Sequence, residues 1–407
     1  MRTCVVCAVF AVLVQPAAAV AQVVAVTESE ILAQLRGGNP RVEALRAAVD
    51  VARADVLAAG RWPNPQLTFN RESVAGIVEG MFMVSQALPI TGRRGLDVNA
   101  ATARVEASAS RAEDRIRRLR ADLRLAFTDL WASQEREDEL TRSQGRLGEL
   151  AAILGKREAA GDAAGFDRLR AEREVIDVEA ARSVAATARA QAQAILASFL
   201  TSPRNSSAIQ AVRPAVQGGP LPSLDELVAR AEGARGDLIA LARDIDAAGF
   251  ADEAASRRAI PEPEVVAGTK SSTVAGGDVG SIFSIHVAVP LFDRAGPERA
   301  AAQALARQLR AEAEVLRQDI RAQVAAWRAA VVERRSAAER HRAALGAGTD
   351  RIERIAQVSY EAGERGILEL LDAHRNSSAA RLRQSELDAA ARQAEIQLEF
   401  VSGWEIP

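Results

Sequence analysis

Two hydrophobic periodicities alternate along the chain, and each occurs twice. Between Pro65 and Pro89 apolar positions recur every second residue: Leu67 and Phe69 share one face of "QLTFNRE", and Phe82, Val84 and Leu88 share one face of "MFMVSQAL". In the second half, Phe283, Ile285, Val287 and Val289 of "SIFSIHVAVPL" alternate with Ser284, His286 and Ala288, and "EVVAGTKS" precedes them across a glycine-containing loop at 272–280. Each segment predicts a β-hairpin, over about 65–90 and about 263–291, with prolines at strand ends where no ladder donor is lost.

Elsewhere the spacing changes to alternate threes and fours. Ile116, Leu119, Leu123, Ala126, Leu130, Leu140, Leu147, Ala151 and Leu154 share one such register, interrupted by Ser133, Glu137 and Gln144. Leu309, Ala313, Leu316, Ile320, Val324, Trp327 and Val331 repeat it. No proline stands between Pro89 and Pro203 or between Pro297 and Pro407, and an interior proline costs a helix about 3 kcal/mol. Long helices are therefore expected over about 97–200 and about 297–400. One running from 97 to 160 would be roughly 95 Å long at the α-helical rise. Gly161 and Gly363 fall where the rods should stop, and each is followed by a new apolar helix. Each half then ends in a long helical hairpin.

The two halves are copies. "VSQALPITGRRG" at 84–95 aligns with "IHVAVPLFDRAG" at 285–296, "WPNPQL" at 62–67 with "IPEPEV" at 260–265, and "EAAGDAAGFDRLRA" at 158–171 with "YEAGERGILELLDA" at 360–373, all at a nearly constant offset. Collinear matches of this kind predict two structural repeats, 22–218 and 219–407, joined by the Pro/Ser/Gly-rich stretch 201–222.

Residues 1–21 read as a secretory signal peptide: Arg2, an apolar run from Cys4 to Val14, then small residues at Ala17, Ala19 and Ala21. That run is too short to span a bilayer, and no later stretch is long and apolar enough to be a membrane helix. Both cysteines lie in the leader, so a mature chain without them has no disulfide and no thiolate nucleophile. Entry into a membrane would have to use β-strands. Four strands per chain leave two open edges, so closure needs several copies, and strands with one apolar and one polar face fit a barrel with lipid outside and water inside. Phe69, Phe82, Phe283 and Phe292 cluster near the strands of a chain with only 4% aromatic residues; interfacial girdles and ordinary packing explain them equally well.

The remaining composition removes other classes. A formal net charge of -2 over 407 residues offers no basic field for nucleic acid, and "RAEDRIRRLRADLR" at 111–124 mixes its bases with acids as a solvated helix face does. His286, His341 and His374 are scattered and no phosphate loop is present, so no enzyme activity, cofactor or fixed metal site is expected.

The chain resembles the TolC family of outer-membrane efflux proteins over essentially its whole mature length. The resemblance is carried by "NPRVEAL" at 39–45, "RWPNPQL" at 61–67, the two repeated corner motifs and "YEAGERGILELLDAHR" at 360–375. It implies a mainly α fold with a small β part: a homotrimer with a 12-stranded barrel in outer-membrane lipid, continued by a periplasmic α-barrel. It further implies an exit duct working with a periplasmic adaptor (membrane fusion protein) and an inner-membrane pump of the RND type. "LPITGRRG" and "PLFDRAG" are most similar to the CzcC/CusC-like branch for heavy-metal cations, and a drug-export role stays open. Residues matching the family's periplasmic gate are Asp167, Tyr360, Arg365, Glu369 and Asp372, which ordinary solvated helix charge explains equally well. Gly161, Ala163, Ala164, Gly363 and Gly366 match its adaptor-docking hairpin tips. The lipid-facing strand candidates are Phe82, Val84, Leu88, Phe283, Ile285, Val287 and Val289. A soluble periplasmic coiled-coil adaptor or scaffold is the alternative.

Overall fold

The computed structural model describes residues 24–35, 38–161, 165–201, 206–214 and 219–404; residues 1–21, expected to be a signal peptide, and the expected tip residues Ala163 and Ala164 lie outside the described residues. The chain opens with β1 (Val24–Val26), α1 (Glu28–Ala33), α2 (Pro40–Ala59), β2 (Gln66–Val74) and β3 (Ile77–Ala87), then α3 (Arg93–Ala159) and its return α4 (Gly165–Ala197). A short strand β4 (Ile209–Ala211) follows. The second half repeats the order with α5 (Leu224–Ala234), α6 (Gly236–Arg257), β5 (Pro263–Ser272), β6 (Asp278–Val287), α7 (Gly296–Glu361) and α8 (Ile367–Ser402). α3 has 67 residues and α7 has 66, each about 100 Å of helix at the usual rise.

Local chemistry sets the shorter helix starts. Asn39 accepts a hydrogen bond from the Arg41 backbone N–H with Pro40 just inside α2, while Thr27 with Glu30 and Ser223 with Glu226 form capping boxes for α1 and α5. The rods pack through the register seen in the sequence: Ile116, Leu123, Leu130, Leu140, Leu147 and Leu154 are all buried. The core is accordingly strung along the bundle in separate stretches. One gathers Ile31, Leu123, Phe127, Leu130, Leu196 and Ile209, a second Leu227, Ile320, Val324, Val331 and Leu398, and a third Leu147, Leu154 and Leu370.

Two features were not readable from periodicity. β1 and β4 are too short to show alternation, yet they pair in parallel, Val24 with Ile209 and Val26 with Ala211. The buried Gln134 amide of α3 closes the edge of that pair, donating to the Ala211 carbonyl at 3.0 Å and accepting from its N–H at 2.9 Å. Beside it an ionic chain crosses the bundle. Arg124 of α3 meets Glu28 (2.5 Å) and Glu399, Arg392 meets Glu28 (3.0 Å) and Glu395 (3.1 Å), and Arg335 meets Glu395 (2.6 Å).

The four long strands form one antiparallel sheet in the order β2-β3-β5-β6, so the two hairpins are joined through β3 and β5. The β2–β3 turn uses Ala75 and Gly76, both at positive φ, the conformation that matches strand twist in a two-residue hairpin.

Candidate functional site

The sheet separates two chemistries by register. Leu67, Val84, Ala267 and Phe283 stand in one cross-strand row, with Phe69, Phe82, Val265 and Ile285 in neighbouring rows of the same face. The opposite face carries Gln66, Thr68, Asn70, Glu72, Glu79, Ser85, Glu264, Lys270, Ser284 and His286. Near the turns, Glu72, Glu79, Ser272 and Asp278 are successive register partners, and Lys270 lies 2.7 Å from Glu79. The sequence reading missed this acidic row; its signal was the parity of the polar positions.

The apolar face is uncovered. Phe69 is 71% exposed, Phe283 72% and Ile285 57%, an area a soluble monomer rarely leaves open. Phe82, Val84, Phe283, Ile285 and Val287 lie on this face within β3 and β6. Leu88 and Val289 fall just past the strand ends at Ala87 and Val287, a correction to their placement as strand residues. The next proline in each motif has no N–H to extend the ladder, although the Leu88 N–H still donates to the Pro263 carbonyl at 2.9 Å. The strands have 9, 11, 10 and 10 residues, about the length that spans a bilayer when tilted. Among the described residues no helix is long and apolar enough to cross a membrane.

The corner between sheet and rod is tied across the repeats. Thr91 donates to Glu262 at 2.7 Å, Arg93 reaches the same carboxylate at 3.4 Å, and Arg94 covers the Trp62 ring while donating to the Gly60 carbonyl at 2.8 Å.

At the far end, the hairpin turns use Gly161 (φ 83) and Gly363 (φ 76), whereas Gly366 precedes α8 in extended conformation. The fold brings two of the sequence candidates together. Tyr360, in the last turn of α7, lies close to the Asp167 carboxylate in the first turn of α4; burial, then the charge of Asp167, holds the phenol above its usual range. Arg157 of α3 lies over the Tyr360 ring at 5.9 Å, an addition that spacing did not suggest. On the same tip, Arg168 of α4 bridges Glu158 (2.5 Å) and Glu172 (2.7 Å). The other candidates stand apart: Arg365, Glu369 and Asp372 line an open groove with Ile352 and Ile355. Asp372 takes a hydrogen bond from Asn376 at 2.9 Å. Among the described residues neither Arg365 nor Glu369 forms an ion pair.

The same arrangement of paired rods and a strand sheet is seen in solved structures, the outer-membrane channel OprN among them. A membrane protein from Pseudomonas aeruginosa superposes with a TM-score of 0.78 at 20% identity, covering 92% of this chain and 93% of its own. CusC gives 0.76 at 17% identity over 93% and 92%, and the outer membrane protein VceC from Vibrio cholerae gives 0.77 at 14% over 93% and 97%. CusC and VceC fit equally well, so shape does not single out the CusC-like branch. No family model and no curated protein sequence matches the chain.

Proposed function

We propose that the protein is the outer-membrane exit duct of a tripartite efflux system, conducting its cargo passively from an inner-membrane pump of the RND type and a periplasmic adaptor to the exterior. The carrying observation is the four-stranded sheet with an uncovered apolar face, a polar face and two unpaired edges, β2 and β6. Inside lipid each unsatisfied backbone group costs several kcal/mol. Pairing β6 of one copy with β2 of the next removes both edges, and three copies give a 12-stranded barrel whose polar faces line the lumen. The rods then continue the duct as a periplasmic α-barrel.

In this reading the Asp167–Tyr360 pair and the groove residues Arg365, Glu369 and Asp372 close the periplasmic end, with Arg365 and Glu369, which form no ion pair among the described residues, left to meet a neighbouring protomer. The turns at Gly161 and Gly363, with Ala163, Ala164 and Gly366, receive the adaptor. Heavy-metal cations are the cargo class suggested by the corner motifs, and the acidic lumen row of Glu72, Glu79 and Asp278 is compatible with them. The test is the mass and location of the mature protein, extracted in mild detergent after inner and outer membranes are separated. A trimer from the outer membrane is expected. A soluble periplasmic monomer or dimer would replace the duct with an adaptor or scaffold.

A further inference from the structure

The duplication of the chain holds in the strands residue for residue. Aligning "VSQALPITGRRG" with "IHVAVPLFDRAG" sets Val84 on Ile285, Ser85 on His286 and Leu88 on Val289, and aligning "WPNPQL" with "IPEPEV" sets Asn64 on Glu262, Pro65 on Pro263 and Leu67 on Val265. The two hairpin registers coincide under these alignments. Gln66 opposite Ser85 and Leu67 opposite Val84 in the first hairpin become Glu264 opposite His286 and Val265 opposite Ile285 in the second. Equivalent positions in the sequence are therefore equivalent places in the sheet.

Two equivalent hairpins meet in one way inside the chain. β3 pairs with β5, Ser85 opposite Val266 and Val84 opposite Ala267, and just past the ladder the Leu88 N–H donates to the Pro263 carbonyl at 2.9 Å. The same step taken once more carries β6 onto β2 of the next copy. A closed barrel has one strand tilt and one stagger, so it closes with least distortion when its successive joints are alike. We propose that β6 and the next copy's β2 reproduce the β3–β5 joint, with His286 opposite Thr68, Ile285 opposite Phe69, and the Val289 N–H donating to the Pro65 carbonyl. This register rests on the multi-copy barrel proposed above. Parity agrees with it: Ile285 and Phe69 both belong to the apolar face, His286 and Thr68 both to the polar face, and a slip of one residue would set apolar against polar.

The corner below the strands differs between the two joints. Inside the chain Glu262 fastens it, accepting from Thr91 at 2.7 Å and meeting Arg93 at 3.4 Å. At the boundary between copies the equivalent residues are Asn64 for Glu262, Phe292 for Thr91 and Arg294 for Arg93. In the single chain Phe292 is fully exposed, and Arg294 reaches the Pro290 carbonyl at 3.4 Å, forming no ion pair among the described residues. Between copies Arg294 thus meets the side-chain carbonyl of Asn64 where the internal joint has a carboxylate, and the hydroxyl bond of Thr91 has no counterpart. A guanidinium binds a neutral amide less strongly than a carboxylate, so the boundary between copies is the less firmly clasped of the two joints.

Disulfide trapping tests the register in the full-length protein, whose two cysteines, Cys4 and Cys7, both lie in the expected leader. His286→Cys with Thr68→Cys puts thiols on directly opposed residues, about 4.5–5.5 Å apart at Cα, within disulfide reach. Within one copy these positions sit on opposite edges of the sheet, about 14 Å apart at the usual strand spacing, so a link joins copies. Oxidation in outer membranes should give covalent multimers on a denaturing gel. His286→Cys with Gln66→Cys or with Asn70→Cys, two residues out of register at about 7–8 Å, should link at least roughly tenfold less. Preferential linking at either offset pair, from a protein still trimeric in mild detergent, overturns the register and leaves the duct standing. No link at any pair together with no trimer removes both. Where the cysteine variants fail to assemble, the clasp decides: Asn64→Glu should raise the temperature at which the trimer comes apart by several degrees, and adding Arg294→Gln should abolish the rise. No rise, or a rise that survives Arg294→Gln, overturns the proposed joint.

Discussion

The hydroxyl of Tyr360, at the foot of α7, faces the carboxylate of Asp167, at the foot of α4, whose charge helps hold the phenol above its usual range, so the last helix turn of one repeat meets the first returning turn of the other. A single polar contact of this kind contributes on the order of 1 kcal/mol, enough to bias a tip and small enough for a docked partner to reverse. Tyr360→Phe combined with Arg365→Ser is expected to raise single-channel conductance in planar bilayers. Conductance equal to the unaltered protein would remove both residues from any gate.

The apolar sheet face makes a separate demand. Ile285 lies in register with Val265 and is more than half exposed in the single chain. Ile285→Arg would set a guanidinium against lipid, costing about 2–4 kcal/mol near the bilayer midplane. The expected outcome is loss of the trimer from the outer-membrane fraction, measured beside Ser284→Arg on the opposite face, which should assemble. Normal assembly of Ile285→Arg would refute the lipid-facing assignment.

Arg124 is largely buried between Glu28 and Glu399. Removing it strands the Glu399 carboxylate, while Glu28 keeps Arg392, and breaking a buried pair in this way costs about 3–5 kcal/mol. Arg124→Met should lower the thermal midpoint by several degrees, whereas the solvated pair Arg136–Glu386, with both side chains about half exposed, should tolerate Arg136→Met with little change. Equal effects would mean that the inner chain of charges is no better shielded than the outer one.

Asp114 titrates against the fold. Burial first, and the nearby Asp237 carboxylate second, raise its proton affinity above that of an ordinary aspartate, although Arg235, Arg117 and the Gly236 N–H oppose them. A raised carboxyl pKa means that the ionised form costs stability at neutral pH, and that this cost disappears once the unfolded chain is protonated too. Asp114→Asn keeps an acceptor for Gly236 and should raise the thermal midpoint at pH 7. The gain should vanish below about pH 4, the range of an unperturbed aspartate. A gain independent of pH would show that charge is not its source.

What the sequence determined by itself is everything with a local period. Alternation at twos placed the hairpins, alternation at threes and fours with proline-free runs placed the rods, and Gly161 and Gly363 marked where the rods turn, because these patterns are fixed by residues within a few turns of one another. Leu88 and Val289 lie one step past that reliability: parity continues through them, but the following proline ends the ladder. The tertiary structure alone decided which distant pieces meet. That β3 joins β5, that β1 finds β4, that Tyr360 reaches Asp167 while Arg365 does not, and that Arg124 gathers Glu28 and Glu399 all depend on packing between segments far apart in the chain.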